Sequence, residues 1–311
     1  MSIAGENKIQ DAASCDAPIS LRQTVVGRLS DYWVLTKPEV NFLVVISTLA
    51  GYYLALRGAM DFALLLNTLL GTLLVASGTG TLNQYIERKS DASMRRTARR
   101  PLPAGRIKAV EALVFGLLLA IGGGLLLWIE VNPLASVLAL LTLTTYLLIY
   151  TPLKRKTALC TLIGAFPGAM PPLIGWAAAR GSLNAESLVL YSILFLWQFP
   201  HFLAIAWMYR EDYSRAGLRM LPPEDPDGRV TSRQIIAFLV ALVVVSMVPT
   251  LIGQVGKVYL FGAVVLGSYF LLHGARLARN RTNVLARRLV LASVLYLPLV
   301  FGLMMFDKIW L

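Results

Sequence analysis

Residues 62–105 read FALLLNTLLGTLLVASGTGTLNQYIERKSDASMRRTARRPLPAG. The first part, 62–86, holds no charged side chain and is long enough to cross about 30 Å of hydrocarbon as a helix. The second part is crowded with charge: Glu87, Arg88, Lys89 and Asp91, then Arg95, Arg96, Arg99 and Arg100. Asn83 lies inside the apolar run, near Gly78, Thr79 and Gly80. Polar groups in that position tend to be functional.

The rest of the chain repeats the first half of this pattern. Of its 311 residues, 57 % are hydrophobic and only 15 % charged, where a soluble domain has about 25 % charged. Nine runs have membrane-spanning length: 39–57, 62–86, 108–129, 133–151, 158–179, 185–209, 231–252, 257–276 and 285–306. Backbone in lipid must satisfy its own hydrogen bonds, and no run alternates as a membrane β-barrel strand does. The expectation is an all-α fold, a polytopic membrane bundle of nine transmembrane helices. Residues 1–32 read as a flexible polar cytoplasmic tail without the apolar core of a signal peptide. The membrane domain is expected over 33–311. Cys15 and Cys160 are too few and too differently placed for a disulfide framework.

The net charge is +12, and its distribution explains it. With the N-terminus cytoplasmic, 25 of the 29 basic residues fall in the tail and in the connections 2–3, 4–5, 6–7 and 8–9. Only Arg57, Arg180, Lys257 and Lys308 fall on the other side. This is the positive-inside bias, and it removes the need for a nucleic-acid partner.

Charge bias does not explain acids. Asn83, Glu87 and Asp91 are spaced i, i+4, i+8, which keeps them on one helix face. Spacing alone leaves two readings open. They are surface ion pairs at the end of a span, or oxygen donors for Mg²⁺, which completes its shell with water and phosphate. Arg96 and Arg100 follow, with guanidinium forks suited to phosphate. Lys154 and Arg155 fall on the same side. A second polar cluster closes span six: Gln198, Pro200, His201, Glu211, Asp212 and Tyr213. Two acidic clusters with several cations match the needs of a metal-bridged diphosphate. His201 is either a packed, hydrogen-bonded histidine or an axial ligand or proton acceptor. In span five, Gly164, Pro167, Gly168, Pro171, Pro172 and Gly175 mark close helix packing or a deformed helix lining a cavity.

These motifs carry a resemblance. TKPEV at 36–40, N-x-x-x-E-x-x-x-D at 83–91 and M-x-R-T-x-x-R-P-L-P-x-G at 94–105 are similar to those of the protohaem IX farnesyltransferase (haem O synthase) family. That family lies within the intramembrane prenyltransferase superfamily. PPLIGW at 171–176, WQFPHF at 197–202 and DYSRAGLRMLP at 212–222 extend the match over about residues 33–306. The resemblance implies nine helices around a central cavity, with farnesyl diphosphate as donor and haem b as acceptor. Mg²⁺ is implied with the diphosphate, in a multi-pass protein of the bacterial inner membrane whose site faces the cytoplasm. It implies catalytic and metal-binding roles for Asn83, Glu87, Asp91 and Asp212. It implies diphosphate binding by Arg96, Arg100, Lys154 and Arg155, and places His201 and Tyr213 near the haem. Haem A synthase or terminal-oxidase assembly factors are the implied protein partners, alongside membrane lipid. The second acidic motif departs from the wider superfamily, offering only the adjacent Glu211 and Asp212. The alternatives are a related prenyltransferase with a quinone-type acceptor and a polytopic transporter.

Overall fold

The computed structural model describes residues 21–310, and these residues are helical throughout apart from connections and one isolated bridge between Val255 and Lys308. The chain begins with α1 (Leu21–Leu35) and α2 (Pro38–Ala55), which meet at an elbow. Pro38 takes the first position of α2, where its missing N–H costs nothing. Two long helices follow, α3 (Phe62–Ala92) and α4 (Ala109–Glu130). Asp61 caps α3 by accepting from the Leu64 amide at 3.0 Å.

Next come α5 (Pro133–Thr145), a π turn (Tyr146–Tyr150) and the short α6 (Thr151–Leu153). Asn132 caps α5 at the Ala135 amide, 2.9 Å. The fifth span is broken into α7 (Cys160–Gly168) and α8 (Pro171–Arg180). Pro171 and Pro172 cannot donate to the preceding turn, so the helix stops and restarts. Then α9 (Ala185–Met208) opens on a capping box between Asn184 and Ser187 and runs through Pro200. Two short helices, α10 (Arg210–Arg215) and α11 (Leu221–Glu224), form the next connection. The last elements are α12 (Arg229–Val245), α13 (Val248–Leu251), α14 (Lys257–Asn280) and α15 (Asn283–Phe306).

Among the described residues, nine helical stretches are long and apolar enough to cross a membrane, and they coincide with the nine expected runs. Two differences matter. Helix α3 does not stop at 86 but continues to Ala92, so Glu87 and Asp91 ride on the same rigid rod as Asn83. Of the segment expected as a polar tail, residues 1–20 lie outside the described residues, while Leu21–Leu35 is helical. Tyr32 packs edge-on against Phe115 at 4.9 Å, and the Arg28–Glu111 and Arg106–Asp31 pairs hold α1 against the start of α4 and the preceding turn. Val26, Leu29 and Trp33 of α1 remain exposed.

Small residues set the closest approaches. A Cβ on Gly51 of α2 would stand 2.0 Å from the Pro172 carbonyl oxygen, and one on Gly175 of α8 would stand 2.0 Å from that of Thr48. Gly71 and Gly78 of α3 meet Gly123 and Gly116 of α4 in the same manner. In lipid, helix association relies on such backbone proximity. The larger apolar core lies elsewhere, between α9, α12, α14 and α15, around Trp197, Phe270, Tyr296 and Phe301.

Candidate active site

The carboxylates gather where the C-terminal end of α3 meets the N-terminal end of α2 and the π turn. Asn83 and Asp91 are each only 1 % exposed. The spacing of four that puts Asn83, Glu87 and Asp91 on one face holds because α3 stays helical through all three.

Each has a polar partner. Asn83 accepts from Lys37 Nζ at 2.8 Å and donates to Thr151 Oγ1 at 3.2 Å. Glu87 accepts from Lys154 Nζ at 2.9 and 3.2 Å. Asp91 is paired with Arg100 Nη1 at 2.7 Å. Arg155 donates to Ser90 Oγ, one residue from Asp91.

The π turn places Thr151 and Lys154. Pro152 lacks the N–H that a regular helix needs, and its ring clashes with the carbonyl four residues earlier. The helix widens over Tyr146–Tyr150. Lys154 Nζ then sits 4.6 Å from the Tyr150 ring centre and 6.0 Å from that of Tyr146. Burial opposes its charge, but the two tyrosines and Glu87 outweigh burial and hold the ammonium well above its usual range.

The second acidic motif closes the same end. Asp212 is 8 % exposed, while the adjacent Glu211 is exposed. The Asp212 carboxylate accepts from the backbone amides of Arg95 and Arg96, both at 3.4 Å, and pairs with Arg215 at 3.2 Å. The turn that leaves α3 therefore links Asp91 to Asp212. The Arg96 guanidinium lies over the Tyr209 ring at 4.9 Å. Tyr213 is buried beside Met94, Cys160 and Met220. The amide of Arg219 donates to the Lys154 carbonyl at 2.8 Å, so three connections meet over the site.

His201 stands apart from this group. Its Nδ1 is 2.6 Å from Ser293 Oγ, and its ring stacks on Trp197 at 4.8 Å. Trp197 donates to the Ser293 carbonyl at 2.8 Å. Among the described residues no hydrogen bond joins His201 to the carboxylates. Gln198, one helix face away, bonds to the Ala165 carbonyl at 3.1 Å.

The sequence places Lys37 among the tail charges and within the TKPEV motif, without assigning it a role in the site. In the structure it occupies a left-handed conformation, φ 56° and ψ 61°, which non-glycine residues adopt rarely. That conformation turns its ammonium down onto Asn83. The signal available was its place directly before Pro38. Thr151 and Ser90 also bond to predicted site residues, and nothing in their type or spacing marked them.

Lys37 makes one pH effect measurable. Burial, with Arg100 and Lys154 nearby and only partly offset by Glu87 and Asp91, lowers its pKa from 10.5 to about 7. Between those values the unfolded chain holds a proton that the folded chain has lost. Stability from this group therefore rises with pH across that window. Thermal unfolding of purified protein is expected to move to higher temperature from pH 7 to pH 9. Lys37→Met should flatten that part of the profile, and an unchanged slope in the variant would disprove the assignment.

A bundle of membrane-length helices carrying carboxylates and cations together at one end is the architecture of an intramembrane prenyltransferase. The comparisons agree. The UbiA prenyltransferase family model matches residues 44–302, and the chain belongs to that family. Protoheme IX farnesyltransferase of Solibacter usitatus is 52 % identical over 289 residues, covering 90 % of this chain and 99 % of the relative. That of Koribacter versatilis is 43 % identical over 307 residues, covering 95 % and 99 %. Among solved structures, one concerned with digeranylgeranylglyceryl phosphate synthase superposes with a TM-score of 0.75 at 19 % identity, covering 92 % of this chain and all of the other. A UbiA homologue from Archaeoglobus fulgidus bound to DMAPP and Mg²⁺ gives 0.64 at 13 % identity, covering 88 % and 99 %. At these identities the structural likeness shows the fold.

Proposed function

We propose that this chain transfers the farnesyl group of farnesyl diphosphate to a vinyl group of haem b, with addition of water, giving haem O and diphosphate. The observation that carries the diphosphate half is the gathering of Lys37, Arg100, Lys154 and Arg155 around Asn83, Glu87, Ser90 and Asp91. The acceptor follows from the named relatives, which match over almost their whole length.

The donor set fits a hard cation. Asn83, Glu87, Asp91 and Asp212 offer only oxygen atoms, the ligands Mg²⁺ takes. Among the described residues no three acids or histidines stand close enough to form a ready-made metal site. Glu87 and Asp91 are instead held by Lys154 and Arg100. Phosphate oxygens paired with those cations would free the carboxylates, and Glu87 and Asp91 with Asn83 and Asp212 would then hold the ion. When bound, Mg²⁺ neutralises diphosphate charge and so eases departure of the leaving group.

The side chains divide the remaining work. Arg100, Lys154 and Arg155 take phosphate oxygens, with Arg96 positioned by the Tyr209 ring and Lys37 as a further hydrogen-bond donor. The charges of the arginines and Lys154 are fixed before reaction, so little reorganisation is needed as the leaving group gains charge. The allylic C–O bond breaks and its electron pair leaves with the diphosphate. Positive charge spreads over the allyl group, and the faces of Tyr146 and Tyr150 beside Lys154 are suited to stabilise it. The vinyl π pair of haem b forms the new C–C bond. The cation left next to the porphyrin is captured by water, which then releases a proton. His201, hydrogen-bonded at Nδ1 to Ser293, keeps Nε2 for a role toward haem.

The basic connections support an orientation with the N-terminus and the site at the cytoplasmic side of a bacterial inner membrane. The test is product formation by purified protein from haem b, farnesyl diphosphate and Mg²⁺. Mass spectrometry of the extracted haem is expected to show the gain of one farnesyl group and one hydroxyl group. No such product, with turnover of a phenolic acceptor instead, would overturn the reading.

A further inference from the structure

Arg57, Arg180, Lys257 and Lys308 are the four basic residues outside the basic connections. Three of them converge. Arg57, Arg180 and Lys308 line one small pocket together with Glu186 and Gln254. The pocket lies at the opposite end of the bundle from the carboxylates. Helix α2 starts beside Asn83 at Lys37 and ends here at Ala55, a rise of roughly 27 Å for an α-helix of its length.

Part of this arrangement is helix capping. Arg180 Nε donates to the Ala55 carbonyl at 2.6 Å. Lys308 Nζ donates to the carbonyls of Tyr53 and Leu56 at 2.8 and 2.7 Å. Cations at the C-terminal end of α2 answer its unpaired carbonyls and dipole.

Capping leaves three features unexplained. Arg57 makes no hydrogen bond or ion pair among the described residues, yet it faces the same pocket. Gln254 is 6 % exposed, and both its amide nitrogen and its amide oxygen are buried without a partner among the described residues. Leaving such groups unpaired costs about 1–3 kcal/mol. Finally, three positive charges share one acid, Glu186, and like charges at close range repel. Burial and the neighbouring Arg180 accordingly lower the Lys308 pKa to about 8. A bound anion would relieve all three. The surroundings fit one held at a bilayer surface. The Trp310 ring lies 3.9 Å from Lys308 Nζ and is exposed, as are Phe306 and Ile309. Aromatic and apolar side chains of this kind sit at headgroup level.

We propose that Arg57, Arg180, Gln254 and Lys308 form a phosphate-binding site, filled by the phosphate of an anionic lipid headgroup at the membrane face opposite the carboxylates. The three cations take the phosphate oxygens, the Gln254 amide donates to the same group, and the lipid tails lie along the exposed Phe306.

The experiment measures binding of phosphatidylglycerol, phosphatidylcholine and inorganic phosphate to the full chain in detergent by native mass spectrometry and thermal shift. Phosphatidylglycerol is expected to bind more tightly than phosphatidylcholine. Arg57→Gln, which removes no observed contact, should weaken phosphatidylglycerol by about fivefold, and Arg57→Glu by about 25-fold, given the usual effect of one basic residue near anionic lipid. Arg288→Gln, at the other end of the bundle, should leave it unchanged. Competition by millimolar inorganic phosphate at the same site would support the site with a soluble anion as its occupant. No competition would support the lipid. Wild-type affinity for both phosphatidylglycerol and inorganic phosphate in Arg57→Gln and Arg57→Glu would overturn the proposal.

Discussion

Glu87→Gln and Asp91→Asn are each expected to lower farnesyl transfer by on the order of 10³-fold, the scale reached when a group that stabilises developing charge is lost. Both substitutions keep shape and remove charge. Asp91 is almost wholly buried, and among the described residues its ionic partner is Arg100. Glu87 holds Lys154 between two tyrosine rings. Each amide keeps an oxygen but lacks the negative charge that pairs with Lys154 or Arg100 and that, on the proposed function, attracts the metal. An unpaired buried cation also destabilises the protein, so turnover is compared at matched amounts of monodisperse protein. Full turnover in both variants would mean that neither carboxylate serves the diphosphate.

Gly51→Leu is expected to prevent assembly of the bundle. A Cβ at this position meets the Pro172 carbonyl oxygen at 2.0 Å, and the reciprocal contact at Gly175 is equally close. Overpacking against side chains that can yield costs about 1–3 kcal/mol. Here the obstacle is main chain on both sides, so α2 and α8 must separate along their length. The measurement is the fraction of membrane-extracted protein that elutes as a single folded species, expected to fall close to zero. Gly122→Ala is the control, since a Cβ there meets nothing within 4 Å. Normal recovery of Gly51→Leu would show that this helix contact yields more readily than its geometry implies.

Much of this was legible in the residues. Apolar length and loop charge gave all nine spans, because the bilayer imposes one solution on backbone hydrogen bonding. The spacing of Asn83, Glu87 and Asp91 placed them on one face, because helical periodicity needs no tertiary information. Pairing was not legible. Which cation meets which acid depends on the π turn before Lys154 and on the left-handed residue at Lys37, and both are local departures from regular geometry. Residue type and position alone do not separate Glu211 from Asp212; the choice of Asp212 rests on the resemblance. Only the backbone amides of Arg95 and Arg96, folded back from α3, decide that Asp212 turns inward. The helix over Leu21–Leu35 lay within a segment too polar to read as a span, and its contacts with α4 are tertiary.

The elbow at Thr36 and Lys37 works as a depth gauge. Helix α1 leaves Val26, Leu29 and Trp33 uncovered, side chains of the kind that sit between headgroups and oil. At Lys37 the chain turns into α2, and the lysine side chain meets Asn83 inside the bundle. On the proposed function, a diphosphate head held at that level leaves its hydrocarbon tail to lie among the apolar helices beneath.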